Sequence, residues 1–251
     1  MNEISDIGSN TRALEERLGR VEGEMRAVLN SVAYDVRAPL RGLYGFALAL
    51  EEDHADKLDP TGLDYVVRIR TAARRMERML DAVLRLSQLA GIKPQRERSD
   101  MTHMADDILK ALAEASPERR VSLQIERELR VETDRAVLRL LIGELLVNAW
   151  KFSAETPDAI IRLRREPAPP GRFRFSIRDN GAGFDVAAAG DRLYGLFQRF
   201  HAPDRFPGEG AGLALARRAA LMLGGTLDVE SAPGAGAVFV CEIPDGGGPL
   251  P

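Results

Sequence analysis

Three stretches in the second half of the chain carry residue types that can act together on one ligand. The first is ELLVNAWKFS, residues 144–153. Glu144 and Asn148 stand four apart, on one face of a helix, and Lys151 lies one turn further on. A carboxylate, an amide oxygen and an ammonium on one helix suit a magnesium–phosphate group. Mg²⁺ takes hard oxygen ligands, and lysine pairs with phosphate. A solvated helix face has the same composition. The second stretch is RDNGAGFD, residues 178–185, directly after a strand-like run. Asp179 at a strand end, followed by Gly181 and Gly183, can present a carboxylate to the edge of a buried ligand. Asp-Asn-Gly is equally good hairpin-turn chemistry. The third is FPGEGAGLALARR, residues 206–218, in which Gly208, Gly210 and Gly212 alternate and then run into a helix. Backbone amides at such a helix start can cradle phosphates, although a plain loop before a surface helix would read alike. It is not the dinucleotide fingerprint, because Leu213 stands where a further glycine is needed. Nor is it a P-loop, since no Gly-Lys-Ser/Thr follows.

A fourth stretch, NSVAYDVRAPLRGLYGF, residues 30–46, reads as a helix with Pro39 set into it. Tyr34 lies two residues after Val32 and two before Val36. Two steps of about 100° turn it away from that apolar seam and predict an exposed side chain. A phenol, with a pKa of about 10, needs a base to become a nucleophile, and Asp35 is the adjacent candidate. The three histidines, His54, His103 and His201, fall in or near loops and helix starts. His54, in a polar link, reads as a solvated surface residue.

The elements that must position these groups follow from periodicity. Ile4, Ile7, Thr11, Leu14, Leu18, Val21, Met25, Val28 and Val32 alternate three and four apart, with charges between them. This heptad predicts a coiled coil and so a second copy of the chain; one amphipathic helix packed on its own domain is the alternative. The steps then change over Val32, Val36, Leu40, Leu43, Ala47 and Leu50, as at a stutter, and Pro39 is expected to kink the helix. A polar link, EEDHADKLDP, ends in Asp59 and Pro60, an N-cap and first-turn proline. A second helix is predicted from about 61 to 90, with Leu63, Val66, Ile69, Ala73, Met76, Leu80, Val83 and Leu84 as its stripe. Neither helix can bury its face alone, so two hairpins would pair into a four-helix bundle.

GIKPQRERSD reads as a linker. Beyond it, helices are expected at 101–115 and 134–152, and strands at VSLQIE, AIIRLRR, RFRFSIRD, TLDVES and AVFVCEIP, with PDGGGPLP as a frayed tail. No internal repeat is visible. The expected division is a leader helix over 1–28, a helical hairpin over 29–92, an α/β domain over 99–245 and a tail over 246–251.

Composition bounds the rest. The chain has 251 residues, 45% of them hydrophobic, and a formal net charge of -3. That is enough for one large domain or two modest ones, and it gives no support to a nucleic-acid or anionic-membrane partner. The lone cysteine, Cys241, cannot staple the fold and fits a reducing compartment. No apolar run approaches the ~18 residues of a membrane span, and MNEISDIGSN lacks the basic start and apolar core of a signal peptide. The expectation is a cytosolic protein, or a cytosolic piece of a longer one.

In this order the clusters resemble the ATP-binding domain of histidine kinases, of the GHKL (Bergerat) ATPase superfamily. ELLVNAWKFS looks like the N box, DNGAGFD the G1 box, LFQRF (196–200) the F box and GEGAGLAL the G2 box; phytochrome-type kinases are especially similar. The resemblance covers about residues 25–244. It implies an α-helical hairpin, a four-helix bundle as a dimer, followed by an α/β two-layer sandwich of the GHKL ATPase type, with ATP and Mg²⁺ as cofactors. Asn148 would coordinate the metal and Lys151 would reach toward phosphate. Asp179 would accept from the adenine amino group, with Gly181 and Gly183 lining its pocket. Gly208, Gly210 and Gly212 would let a lid approach the phosphates. Glu144 takes a position where many histidine kinases carry asparagine, and where the superfamily's ATPases hold a general base; some ATP hydrolysis is thereby left open.

The first half resembles the dimerisation and phosphoacceptor hairpin, whose motif is His, an acid, any residue, a base, a small residue, Pro, Leu. Here it reads Tyr34, Asp35, Val36, Arg37, Ala38, Pro39, Leu40, complete except for the histidine. Relay of phosphate from an aryl ester to a receiver aspartate would be slow or absent. Ala38 lacks the polar group that helps many relatives dephosphorylate their response regulator. The implied partners are a second copy of the chain and a response-regulator receiver domain or another kinase. Three readings stay open for Tyr34: an ATP-binding pseudokinase that docks a partner, a divergent kinase phosphorylating Tyr34, and a histidine kinase whose acceptor has been replaced. A scaffold that binds no nucleotide is a further alternative, against which the retained G1 and G2 glycines argue.

Overall fold

The computed structural model describes residues 2–89, 91–202 and 205–246, with side chains from Arg17 onward except Leu18 and Glu22. It contains two compact units, Met1–Ile92 and Lys93–Pro251.

The first unit is a helical hairpin. Helix α1 runs Asn2–Asp53 without interruption through Pro39. Leader and hairpin are therefore one element, and the division expected near residue 28 is not a break in secondary structure. Helix α2 runs Pro60–Leu89. Its start is capped as expected: the Asp59 carboxylate accepts from the Gly62 amide at 2.7 Å. The helices cross-link through polar pairs that fix an antiparallel register, Arg37 with Asp81, Arg74 with Tyr44 and Arg70 with Glu51.

The expected single apolar stripe on α1 proves to be two. Ala33, Leu40 and Ala47, seven apart, are buried, as are Val66, Ala73 and Leu84 of α2. Val21, Met25, Val28, Val32, Val36, Leu43, Phe46 and Leu50 are exposed, and so are Ile69 and Met76. From Val36, the series Val36, Pro39, Leu43, Phe46, Leu50 again alternates three and four apart, so the heptad resumes after its stutter on an uncovered face. The side chains of Ile4, Ile7, Thr11, Leu14 and Leu18, which opened the expected heptad, lie outside the described residues.

The second unit is a helix layer on a sheet. Its five strands, β2 (Val121–Ile125), β4 (Ala159–Glu166), β5 (Arg172–Asp179), β6 (Thr226–Ser231) and β7 (Ala237–Pro244), stand in the order β2-β4-β5-β7-β6. Only the β2–β4 pair is parallel. Alternation in β5 and β7 turns Phe173, Phe175, Ile177, Phe239, Cys241 and Ile243 to the core. The other face is polar: Arg172 donates to Glu242 and Arg162 to Gln124. A sheet with one wet face takes helices on the other, which makes two layers. That layer is α3 (Met101–Glu114), α4 (Arg135–Phe152) and α6 (Gly212–Met222); a short α5 (Val186–Ala189) lies between β5 and α6 in sequence.

Two strands escaped the sequence reading. β1 (Glu97–Asp100) pairs antiparallel with β3 (Arg130–Thr133). β1 lies inside the stretch taken for a linker, so the second unit's first strand precedes the boundary expected at 99. Both strands are four residues long and mostly polar, and only their pairing defines them. Apart from Gly246, the expected tail lies outside the described residues.

Candidate functional site

Helix α4 positions the first cluster. Its start is capped by Asp134, whose carboxylate accepts from the Val137 amide at 2.9 Å. Leu138, Leu141, Ile142, Leu145, Leu146 and Ala149 are fully buried, so the helix is clamped in the core. Glu144, Asn148 and Lys151 thus stand on a rigid rod, with Asn148 only 8% exposed.

The other two clusters converge on this rod. A Cβ at Gly212 would stand 2.9 Å from Glu144 Oε2 and 3.3 Å from Asn148 Nδ2, and one at Gly208 would stand 3.2 Å from Lys151 Nζ. The glycine-rich stretch therefore lies directly on the Glu144–Asn148–Lys151 face. A Cβ at Gly181 would meet the Phe152 carbonyl oxygen at 2.3 Å, and the Ala182 amide donates to that oxygen at 2.9 Å. Gly183, with φ +55°, lies against Ala232 O, 2.0 Å from where its Cβ would be. Gly210, with φ +73°, lies as tightly on Gln198, and its carbonyl accepts from the Phe197 amide at 2.9 Å. Every site residue expected beyond residue 140 is in this one region. Tyr34 and Asp35 belong to the other unit, where both are exposed on α1, Tyr34 by 72%.

The electrostatics are those of a partly dried site. Asp179 is buried at the end of β5 and accepts from the Gly181 amide at 2.8 Å. Burial pushes its carboxyl up to about 6, against the lowering effect of hydrogen bonds from Gly181 and Ala237 and of nearby Arg178. Burial likewise lowers the Lys151 ammonium to about 8, helped by Arg199 and opposed by Glu144. Lys151 Nζ lies 4.1 Å from the centre of the Phe152 ring. Phe152, His201 and Phe206 form a ring cluster with centroids 5.1–5.3 Å apart.

Three participants were missed from the sequence. Gly236, with φ +75°, presses on the Asp179 backbone, where its Cβ would be 2.1 Å from the carbonyl oxygen. Ser231 accepts from the Phe184 amide at 2.9 Å and donates to Gly236 O at 2.8 Å. Arg199 bears on Lys151 and donates to Phe206 O at 2.7 Å. Ser231 and Gly236 belong to the β6–β7 turn, SAPGAGA, whose glycines read simply as turn residues.

The arrangement fits a purine nucleotide with magnesium. A buried carboxylate stands at the end of β5, in a turn whose Gly181 lies on the end of α4, and the α4 face beneath the glycine-rich stretch presents an amide and an ammonium. No group of three His, Cys, Asp or Glu side chains converges among the described residues. A magnesium ion here would rest on Asn148 and on phosphate oxygens, the usual habit of this ion. Bound there, it would neutralise phosphate charge.

This fold and site define a GHKL-type ATPase domain following a helical hairpin. Residues 133–247 match the family described as "Histidine kinase-, DNA gyrase B-, and HSP90-like ATPase", and residues 24–91 match the "His Kinase A (phospho-acceptor) domain". The chain is 28% identical, over 92% of its length, to cyanobacterial phytochrome B of Nostoc sp.. It is 32% identical over 95% to the methanogenesis regulatory histidine kinase FilI of Methanothrix harundinacea, and 29% identical over 97% to the sensor protein DivL of Caulobacter vibrioides. It spans 31%, 28% and 31% of these relatives' lengths. The crystal structure of full-length ShkA in complex with AMPPNP has the same fold, with a TM-score of 0.63 at 24% identity over 89% of this chain and 46% of that one. The chain belongs to the histidine kinase family of two-component signalling proteins. No helix among the described residues is long and apolar enough to cross a membrane.

Proposed function

We propose that this chain binds Mg-ATP in its second unit but has lost histidine autophosphorylation, and that it acts as a cytoplasmic pseudokinase that docks and regulates a partner. The observation that carries this reading is Tyr34. It stands exposed on α1 at the acceptor position, with Asp35, Arg37, Pro39 and Leu40 intact around it. The only histidine of the hairpin, His54, follows α1 in the exposed link to α2. In the ATP site Asn148 holds the metal, Lys151 the phosphates and Asp179 the adenine amino group. Gly181 and Gly183 shape the base pocket, and Gly208, Gly210 and Gly212 the phosphate lid. Glu144 polarises a water or hydroxyl beside the phosphates. The chain works as a homodimer through the coiled-coil leader and hairpin, and its partner is a response-regulator receiver domain or another kinase.

The exposure of Tyr34 favours one second reading, a divergent kinase in which Asp35 takes the phenol proton and Tyr34 accepts phosphate. One experiment separates the two. The chain is incubated with labelled Mg-ATP, and any label is tested in acid and alkali. No covalent label with saturable ATP binding supports the pseudokinase. A label stable to both acid and alkali marks phosphotyrosine. An acid-labile label would reveal an acceptor histidine elsewhere and overturn both readings. Absence of ATP binding would leave a nucleotide-free scaffold.

A further inference from the structure

The end of α4 that carries Lys151 and Phe152 is held in part from outside the four sequence boxes. The last four carbonyls of a helix have no partner within it and must find others or fray. In α4 the Ala149 carbonyl accepts from the Ser153 hydroxyl at 2.7 Å, and the Lys151 carbonyl from the Ala154 amide at 3.1 Å. The Phe152 carbonyl is taken by the Ala182 amide of the Asp179–Gly183 loop. The Trp150 carbonyl accepts from Arg119 Nη1 at 2.7 Å and, at the longer distance of 3.2 Å, from the Ser153 hydroxyl. Arg119 belongs to the loop between α3 and β2, far from α4 in sequence. Its Nη2 also donates to Ser153 Oγ at 3.3 Å, and its guanidinium lies 4.6 Å from the centre of the Trp150 ring.

We propose that Arg119 is a positioning residue for the nucleotide site: it pegs the last turn of α4 so that Lys151 is held toward the phosphates and the Phe152 carbonyl is held against the Gly181–Ala182 turn. Three features of one side chain act on that turn. The two donated hydrogen bonds fix a carbonyl and a hydroxyl, the ring contact fixes the guanidinium plane, and the positive charge complements the negative end of the helix. A lysine has no fork with which to reach both acceptors and stack as well. Ser153 is fully buried and Trp150 nearly so, so no water replaces the peg at low cost. The effect of Arg119 on the Glu144–Asn148–Lys151 face passes through the backbone of residues 150–153.

The role rests on the nucleotide reading, and the test keeps the two apart. Amide hydrogen exchange and Mg-ATP titration are measured on the full chain, on Arg119→Met and on Arg119→Lys. The expected result for Arg119→Met is faster exchange, about fivefold or more, confined to the amides of residues 151–154 and Ala182. ATP affinity should fall about tenfold, as when only about a tenth of the chains hold the turn in its binding-competent form. Arg119→Lys should recover part of both, and it serves alone if the methionine variant does not fold. Unchanged exchange at 151–154 would overturn the proposal, as would faster exchange throughout the second unit, which would mark Arg119 as a general stabiliser. Local loosening with unaltered ATP affinity would overturn it too. A wild-type chain that takes up no ATP would sink the nucleotide reading, while the exchange pattern would still decide whether Arg119 pegs the turn.

Discussion

At the scale of single residues, Asp179 and Lys151 set the expected solution behaviour. Replacing Asp179 with Asn removes a carboxylate proposed to accept from the adenine amine and should weaken ATP binding by about 1.5–3 kcal/mol, read by calorimetric titration. Unaltered affinity would take Asp179 out of the site. The two displaced titrations also define a pH window. Asp179 is raised to about 6, so the folded chain holds its proton more tightly than an unfolded carboxyl near 3.9 does. Its contribution to stability therefore falls as pH rises through that interval, because burial of the charge is unfavourable. Nucleotide binding runs the opposite way, since it uses the charged carboxylate, and should weaken below about pH 6. Lys151, lowered to about 8, loses its charge above that pH and its hold on phosphate with it. ATP affinity should be highest between these limits, and Asp179→Asn should flatten the acid limb only. A profile flat from pH 5 to 9 would contradict both assignments. On α1, Tyr34→His places an imidazole, a nucleophile without need of a base at neutral pH, where a phenol now stands. The site is exposed, so stability should change by no more than about 0.5 kcal/mol. An acid-labile label that needs Mg-ATP and Asn148 should appear. If the variant binds ATP and stays unlabelled, position 34 is not the whole defect.

At the scale of elements, the site is a meeting of backbones more than of side chains. The Asp179–Gly183 turn is wedged between the end of α4 and the β6–β7 turn, and glycine is required where two backbones touch. Gly236→Ala tests this. The new methyl would lie about an ordinary bond length and a half from the Asp179 carbonyl oxygen, at a φ of +75° that alanine disfavours. Neither backbone is the free end of a flexible chain. A loss of more than about 2 kcal/mol in urea unfolding is expected, together with loss of nucleotide binding. A variant of native stability would show that the turn can open. The hairpin shows the same division of labour. Leu40 and Ala47 hold α1 to α2, whereas Val36, Leu43 and Phe46, on the same helix, leave their apolar surface uncovered.

At the scale of the whole molecule, that uncovered stripe argues for a second copy. Val21 to Leu50 present a row of exposed apolar side chains along α1, and Ile69 and Met76 of α2 are exposed as well. Rows of this length are rarely left in water by a monomer. Light scattering at micromolar concentration should give twice the 27.5 kDa chain mass. A clean monomer would remove the bundle.

The sequence by itself determined the class of the molecule, because its signals are local. The heptad and the Asp59–Pro60 start specify a helical hairpin. Alternation in RFRFSIRD and AVFVCEIP specifies strands with one buried face. The spacing of Asn148, Asp179 and the glycines from 208 to 212 carries the resemblance to histidine kinases. Tyr34 is exposed as expected, but not for the expected reason: Val32 and Val36 are exposed too, and the buried line of α1 runs through Ala33. What only the tertiary structure decided are the relations between segments distant in the chain. β1 and β3 exist through each other, since four polar residues have no strand signal of their own. The α1 stripe divides in two because α2 covers one line and not the other. Gly236 and Arg119 belong to the site because folding lays their backbone and guanidinium against residues 57 and 31 positions away. Periodicity reports which face of an element is apolar; it carries no information on which distant loop will close the element's end.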